Sequence, residues 1–199
     1  MNIQQHLYTS QVILQEICKN RGFNINDSII ELEDIHNTCI PPYTSCLELM
    51  SFKIESERQL IIKYIIKDNE LNKIIDEIID ESKITDDDDI IIVCCKTITS
   101  EKRIDIENEY NNVRIFNLIE LQYNIIDNQL VPNHTSINLE ESQILQNQYI
   151  KDNLQLPVLS YNDPVARYYG YRLNDIIKIK RKLGHTFRIV KHISLEITV

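Results

Sequence analysis

The 199-residue sequence has no tryptophan, only three glycines, five prolines and two methionines. So little glycine and proline excludes a collagen-like repeat or a flexible linker architecture. With glycine only at Gly22, Gly170 and Gly184, there is no Gly-x-Gly-x-x-Gly or Walker-type loop to cradle a nucleotide. The longest unbroken apolar run, Ile90 to Cys95, is far too short to span a bilayer. The first residues, Met1 to His6, lack the basic-then-apolar order of a secretion signal, so the chain is expected on the reducing side of the membrane. The five cysteines (Cys18, Cys39, Cys46, Cys94, Cys95) are odd in number and irregularly spaced, which reads as buried thiols without a disulfide framework.

What remains is an ordinary globular composition, 43% hydrophobic and 26% charged with a net charge of −9, sufficient for a packed core. The abundance of Ile, Asn and Asp points to an AT-rich coding genome. Charge divides the chain: residues 1–128 carry 12 Lys and Arg against 24 Asp and Glu, whereas residues 129–199 carry 9 against 6. We therefore expect an acidic N-terminal domain, 1–128, and a basic C-terminal domain, 129–199.

Hydrophobic periodicity assigns the elements. Residues 5–21 read as an amphipathic helix closed by Gly22, and Leu47, Leu49 and Ile54 as a first strand of uncertain register. Leu60 to Ile66 and Ile90 to Cys95 read as strands, with a helix over 69–82 between them that Asp68 or Asn69 can cap. A charged helix opened by Thr99 or Ser100, a strand from Val113 to Ile119 and a short helix leading to Val131-Pro132 complete an α/β layer with a partly parallel sheet. The last third reads as a small α+β unit: a helix over 138–148, one or two turns from Asp163-Pro164 to Gly170, and a terminal hairpin turning at 182–185.

No residue constellation specifies an active site. The run Asp86 to Asp89 has no glycine or distal bidentate glutamate to close a cation loop and reads as a solvated turn. His36, Cys39 and Cys46 lack the paired spacing of a zinc site and read as side chains near a turn. Glu81-Ser82-Lys83, the obvious acid-x-Lys match to a metal-dependent nuclease, falls at a helix end. Tyr161, Tyr168, Tyr169 and Tyr171 among Arg167 and Arg172 suit a protein interface better than a grip on nucleic acid.

Asp163-Pro164-Val165-Ala166-Arg167-Tyr168-Tyr169-Gly170 closely resembles the signature of the fifth subunit shared by eukaryotic nuclear RNA polymerases, a family with a shorter archaeal counterpart. Ile176 to Ile179 follows at the spacing of that family's next strand, and Leu130-Val131-Pro132-Asn133-His134 resembles its Leu-Val-Pro-x-His element. Leu7 to Phe23 and Ile90 to Lys102 are compatible with its N-terminal half. The resemblance implies a non-catalytic subunit with no cofactor or metal of its own and no small-molecule substrate. It implies an α/β jaw domain, nuclease-like in fold but without an active site, followed by a small α+β assembly domain.

The implied partners are the largest subunit, other subunits and downstream duplex DNA, with no membrane. Docking residues carried over are Val131, Pro132, His134, Asp163, Pro164, Val165, Arg167, Tyr168, Tyr169 and Gly170; DNA-proximal ones are Lys96, Ser100, Lys102 and Arg103. The family's Arg-Pro-Ser-Glu-Thr loop is replaced here by Arg181 to His185, and the proline before its jaw-helix serine by Thr99. This divergence, with the Ile/Asn bias, favours a large DNA virus of eukaryotes, placing the protein in virion and host cytoplasm; a cellular version would be nuclear. The competing readings are a free-standing interaction module and a metal-dependent nuclease using Glu48 or Glu55.

Overall fold

A computed structural model of the chain describes residues 3–23, 30–41, 43–54, 57–66, 71–149 and 156–192. It divides into two compact units, Met1–Tyr123 and Asn124–Val199. The division expected from charge, after residue 128, falls just inside the second. Among the described residues no helix is long and apolar enough to cross a membrane.

The first unit opens with α1 (Ile3–Asn20), which buries Leu7, Leu14, Ile17 and Cys18 at helical spacing. Its end is closed by Gly22 at φ +85°, where the Gly22 N–H reaches the Lys19 carbonyl and the Phe23 N–H the Cys18 carbonyl, both at 3.0 Å. An added Cβ at Gly22 would meet nothing within 4 Å, so Gly22→Ala tests backbone conformation alone. Chemical denaturation should show a loss of about 1–2 kcal/mol; an unchanged midpoint would mean that this turn is not held in solution.

Two short helices follow, α2 (Leu32–Thr38) and α3 (Thr44–Met50). The latter corrects the strand expected around Leu47 and Leu49. Cys46, Leu47 and Met50 lie on the buried face of one helical turn while Leu49 is 50% exposed, so the spacing that looked alternating serves a helix. Of that expected strand only Ile54 remains, in β1 (Phe52–Ile54).

β2 (Leu60–Ile65), α4 (Leu71–Ser82), β3 (Asp89–Cys94), α5 (Ser100–Glu109) and β4 (Val113–Asn117) build the sheet, in the order β1-β2-β3-β4. β2, β3 and β4 are parallel and β1 antiparallel to β2. The expected caps of α4, Asp68 and Asn69, lie outside the described residues. Both faces of β3 are buried, which is why it reads as an unbroken apolar run rather than an alternating one. Ile90, Ile92 and Cys94 pack with Leu71 and Ile75 of α4 and Ile106 of α5. On the opposite face, Tyr64 shares a 2.9 Å hydrogen bond with Ser10 of α1.

β4 stops at Asn117 rather than running to Ile119. There the Asn117 N–H donates to Glu120 Oε2 at 2.8 Å, opening a 3-10 turn, Leu118–Gln122, that leaves Ile119 53% exposed. A second 3-10 turn, Ile125–Asp127, takes the place of the short helix expected there.

The second unit contains β5 (Asn133–Ser136), α6 (Leu139–Tyr149), β6 (Val158–Ser160), α7 (Pro164–Tyr169), β7 (Ile176–Arg181) and β8 (Gly184–Lys191). Asn138 caps α6 through Oδ1, which accepts the Glu141 N–H at 2.8 Å. The sheet order is β5-β7-β8-β6, with β6 parallel to β8 and the other pairs antiparallel. Period-two alternation splits the core. Ile177, Ile179 and Val190 pack with Leu159, Tyr161, Ala166 and Tyr171 on one face, and Ile176 and Ile189 with Leu156 on the other. Arg181 pairs with Gly184 across a two-residue turn, Lys182-Leu183, at whose tip Leu183 is fully exposed.

Candidate functional site

Asp163 begins α7 as its N-cap, Oδ1 accepting the Val165 N–H at 2.8 Å, and Pro164 occupies the first turn, where its missing N–H removes no helical bond. Gly170, at φ +68°, closes the helix: its N–H reaches the Arg167 carbonyl at 3.3 Å, and the Tyr171 N–H the Ala166 carbonyl at 3.0 Å. The eight-residue motif is thus a complete start, turn and stop.

Its side chains point mostly inward. Val165, Ala166, Arg167 and Tyr168 are buried, and Asp163, Tyr169 and Gly170 are half-buried; only Pro164 is exposed. Tyr168 meets Tyr169 edge-on at 5.2 Å, and Tyr169 stacks on Tyr171 at 5.3 Å. Burial raises the Tyr169 and Tyr171 hydroxyls above their ordinary range, keeping both neutral. Arg167 and Tyr168, carried over as docking residues, both belong to the interior of the second unit in the isolated chain.

The Leu-Val-Pro-x-His element lies in the same unit. Leu130 is 88% exposed, Val131 and Pro132 are half-buried, and His134 is buried on β5 opposite Ile179. His134 Nδ1 lies 2.6 Å from the Pro132 carbonyl, an acceptor only, so Nδ1 carries the proton. Burial pulls the imidazole below its ordinary value, and Arg181 and Arg188 add to this; the Pro132 carbonyl and Asp163 oppose it. The neutral ring therefore stabilises the second unit fully above about pH 6.5, and that contribution is lost as acidification protonates the unfolded chain first. Thermal unfolding of that unit should fall between pH 7.5 and 5.5, and His134→Gln should flatten the fall; an equal fall in the variant would remove His134 as its source.

In the first unit Lys96 and Ser100 are exposed and Lys102 half-buried, around the carboxyl end of β3 and the start of α5. Thr99 Oγ1 caps α5 by accepting the Lys102 N–H at 3.4 Å. Arg103, also carried over as DNA-proximal, has Nη1 2.8 Å from Glu120 Oε1, so its guanidinium ties α5 to the turn after β4.

The aspartate run is also not wholly solvated. Asp86 and Asp87 are exposed, but Asp88 accepts the Gln59 N–H at 2.6 Å and the Thr85 N–H and hydroxyl, each at 2.8 Å. Asp89 faces Arg21 at 3.4 Å and Arg58 at 4.0 Å. Sequence reading missed this cluster, whose one local sign is an acidic residue entering an apolar strand.

Among the described residues no group of three or more His, Cys, Asp and Glu is arranged to hold a metal ion. Burial pushes the thiols up, Cys39 to about 11 and Cys18 and Cys95 to about 12, so they are protonated at neutral pH. His36 is exposed, Glu48 is exposed on α3, and Glu55 lies outside the described residues.

Residues 123–191 match the family described as RNA polymerase Rpb5, C-terminal domain. A 61-residue stretch is 41% identical to the DNA-directed RNA polymerase subunit Rpo5 of the archaeon Methanothrix thermoacetophila, covering 31% of this chain and 78% of that one. The chain belongs to the family of RNA polymerase subunit 5. The Rpb5 C-terminal match contains both the Leu-Val-Pro-x-His element and the Asp163 to Gly170 motif.

The subunit named rpabc1 of RNA polymerases I, II and III in Dictyostelium discoideum is 36% identical over 117 residues, 59% of this chain. The match spans 53% of that relative, about half its length. A chain of Invertebrate iridescent virus 6 named as a DNA-directed RNA polymerase subunit, 454R, is 32% identical over 108 residues, 49% of this chain and 59% of that one.

Proposed function

We propose that this chain is a non-catalytic subunit of a multisubunit DNA-directed RNA polymerase. Its C-terminal domain, 129–199, assembles on the largest subunit, and its N-terminal domain, 1–128, forms part of a jaw beside downstream duplex DNA. The observation that carries the reading is the Asp163 to Gly170 motif, a capped and closed turn within the unit that matches the Rpb5 C-terminal domain. With Arg167 and Tyr168 inside that unit, the motif acts in docking by holding the shape of the domain. Direct contact falls to the surface beside it: Pro164, Leu130, and the half-buried Val131, Pro132 and Tyr169.

On the jaw side, Lys96, Ser100 and Lys102 are the groups we assign to downstream DNA phosphates, in an acidic setting that limits binding to DNA already held by the complex. The viral relative supports a viral polymerase, with virion and host cytoplasm as the location.

Affinity purification of the tagged chain from its source, with mass spectrometry of stoichiometric partners, should recover the two large polymerase subunits, and their origin decides viral against cellular. Recovery of the chain alone from an extract where those subunits are intact would sink the reading. Lys96→Glu should leave that recovery unchanged while reducing cross-linking of the chain to downstream DNA severalfold; unchanged cross-linking would remove Lys96 from the DNA side.

A further inference from the structure

The C-terminal sheet ends on β5, and among the described residues no strand pairs with the outer side of β5. The hydrogen-bonding parity is set by the Ile137 N–H, which donates to the Ile176 carbonyl at 3.1 Å one position beyond the ladder. Asn133 and Thr135 share that parity and bond inward to β7, so His134 and Ser136 turn their backbone N–H and C=O groups outward. A strand edge of this kind is a template for another extended chain.

The register also fixes what stands beside the edge. Thr135 lies opposite Lys178, and Asn133 opposite Lys180, which in turn lies opposite His185. These five side chains share one face of the sheet and, with Glu141 of α6 at the margin, line an open cleft of about 220 Å³. Lys178 and Lys180, two residues apart on one face, are separated by roughly 6.5–7 Å. That is also the spacing of alternate side chains on an added strand.

We propose that the outer edge of β5 receives an extended, acidic segment of another polymerase subunit, its backbone pairing with His134 and Ser136 and its alternate carboxylates facing Lys178 and Lys180. The identity of the donor as a polymerase subunit rests on the function proposed above; the edge and its charge do not. An added strand lies about 10 Å from β7, two strand spacings away. Lysine and glutamate side chains leaning toward each other span that gap. Outward donors and acceptors in alternation suit a peptide backbone rather than phosphates, which only accept, and the Glu141 carboxylate disfavours a nucleic-acid strand in the same cleft. The occupant contributes the charge that this basic unit lacks.

The test uses the full chain and two labelled twelve-residue probe peptides, one alternating Glu and Val and the other Lys and Val, followed by fluorescence anisotropy. The Glu/Val peptide should bind at least tenfold more tightly than the Lys/Val peptide and weaken as salt is raised. Lys178→Glu with Lys180→Glu should abolish the preference. Ser136→Pro, which removes an outward N–H and no ladder bond, should weaken binding at least tenfold.

Equal binding of the two peptides, binding of neither, or displacement by a DNA duplex as effectively as by the Glu/Val peptide would overturn the proposal. So would binding that emerges only when residues 193–199 are deleted, because the chain's own tail would then be the occupant. Co-purification with the large polymerase subunits is scored separately, so loss of the edge proposal and loss of the polymerase reading are distinguishable.

Discussion

Asp89→Ala should destabilise the N-terminal unit by about 3–5 kcal/mol, the cost of removing one partner from a buried ion pair. Arg21 follows the last turn of α1 with its side chain 1% exposed, and Asp89 Oδ2 stands 3.4 Å from its Nη1. Burial pulls the Arg21 guanidinium below its ordinary value and the like charge of Arg114 adds to this; Asp89 is the group that most opposes both. Arg58 is a weaker partner to Asp89, 4.0 Å away with its side chain 44% exposed, so solvent screens it. Its larger role is positional: Nη2 donates to the Arg21 carbonyl at 3.1 Å, and its guanidinium lies 4.9 Å from the Phe23 ring centre.

A unit of this size has a total stability of roughly 6–18 kcal/mol, so the substitution removes a large fraction of it. Urea denaturation followed by circular dichroism measures the loss. The apolar double variant Arg21→Met with Asp89→Leu should lie closer to the parent than Asp89→Ala does, because the Arg21 charge is then not left buried without Asp89. A shift below 1 kcal/mol for Asp89→Ala would show that water reaches Arg21 and that the pair is not sealed.

Tyr168→Ala should unfold much of the C-terminal unit, with a loss of about 3–5 kcal/mol for truncating a buried aromatic ring. Tyr168 is 2% exposed on a helix of six residues, so the helix has little besides its caps and its buried face to hold it. The whole unit is small, with a stability of roughly 4–11 kcal/mol, and cannot absorb such a loss quietly. Any polymerase incorporation lost in this variant would follow from the fold. Calorimetry should show the C-terminal transition lowered or absent and the N-terminal one in place.

Tyr169→Ala is the control. That ring is half-buried and stacks on Tyr171, so its truncation should cost much less. If Tyr168→Ala instead melts normally and still loses its partners, the ring is itself a contact and opens outward on assembly.

The Asp163 to Gly170 motif shows how far local reading reaches. Asp as N-cap, Pro in the first turn and Gly at the left-handed stop all act within one helical turn of themselves, so their effects are legible along the chain. Which face of the helix turns inward is decided at Ala166, which packs with Tyr161, Ile177 and Val190 of the surrounding core. Identity was legible and exposure was not. The same holds in the first unit, where Thr99 marks the start of α5 but Glu120, on the far side of β4, takes the Arg103 guanidinium that looked available for phosphate. Leu47 and Leu49 failed for a different reason, because a short apolar run fits a strand and a buried helical turn equally well.

The sequence alone determined where α1, α4, α5, α6 and α7 run, that β3 is covered on both faces, that the two units differ in charge, and that the C-terminal unit carries the subunit 5 signature. Each depends on residues within a few positions of one another or on simple sums over a segment. The tertiary structure alone decided that Asp88 and Asp89 sit inside, that Arg21 meets Asp89 across 68 positions of chain, and that His134 and Ser136 present their backbone groups outward beside Lys178 and Lys180. Those outcomes depend on which strands become neighbours and in what register. Register is set jointly by packing on both faces of a sheet, which no local stretch of sequence encodes.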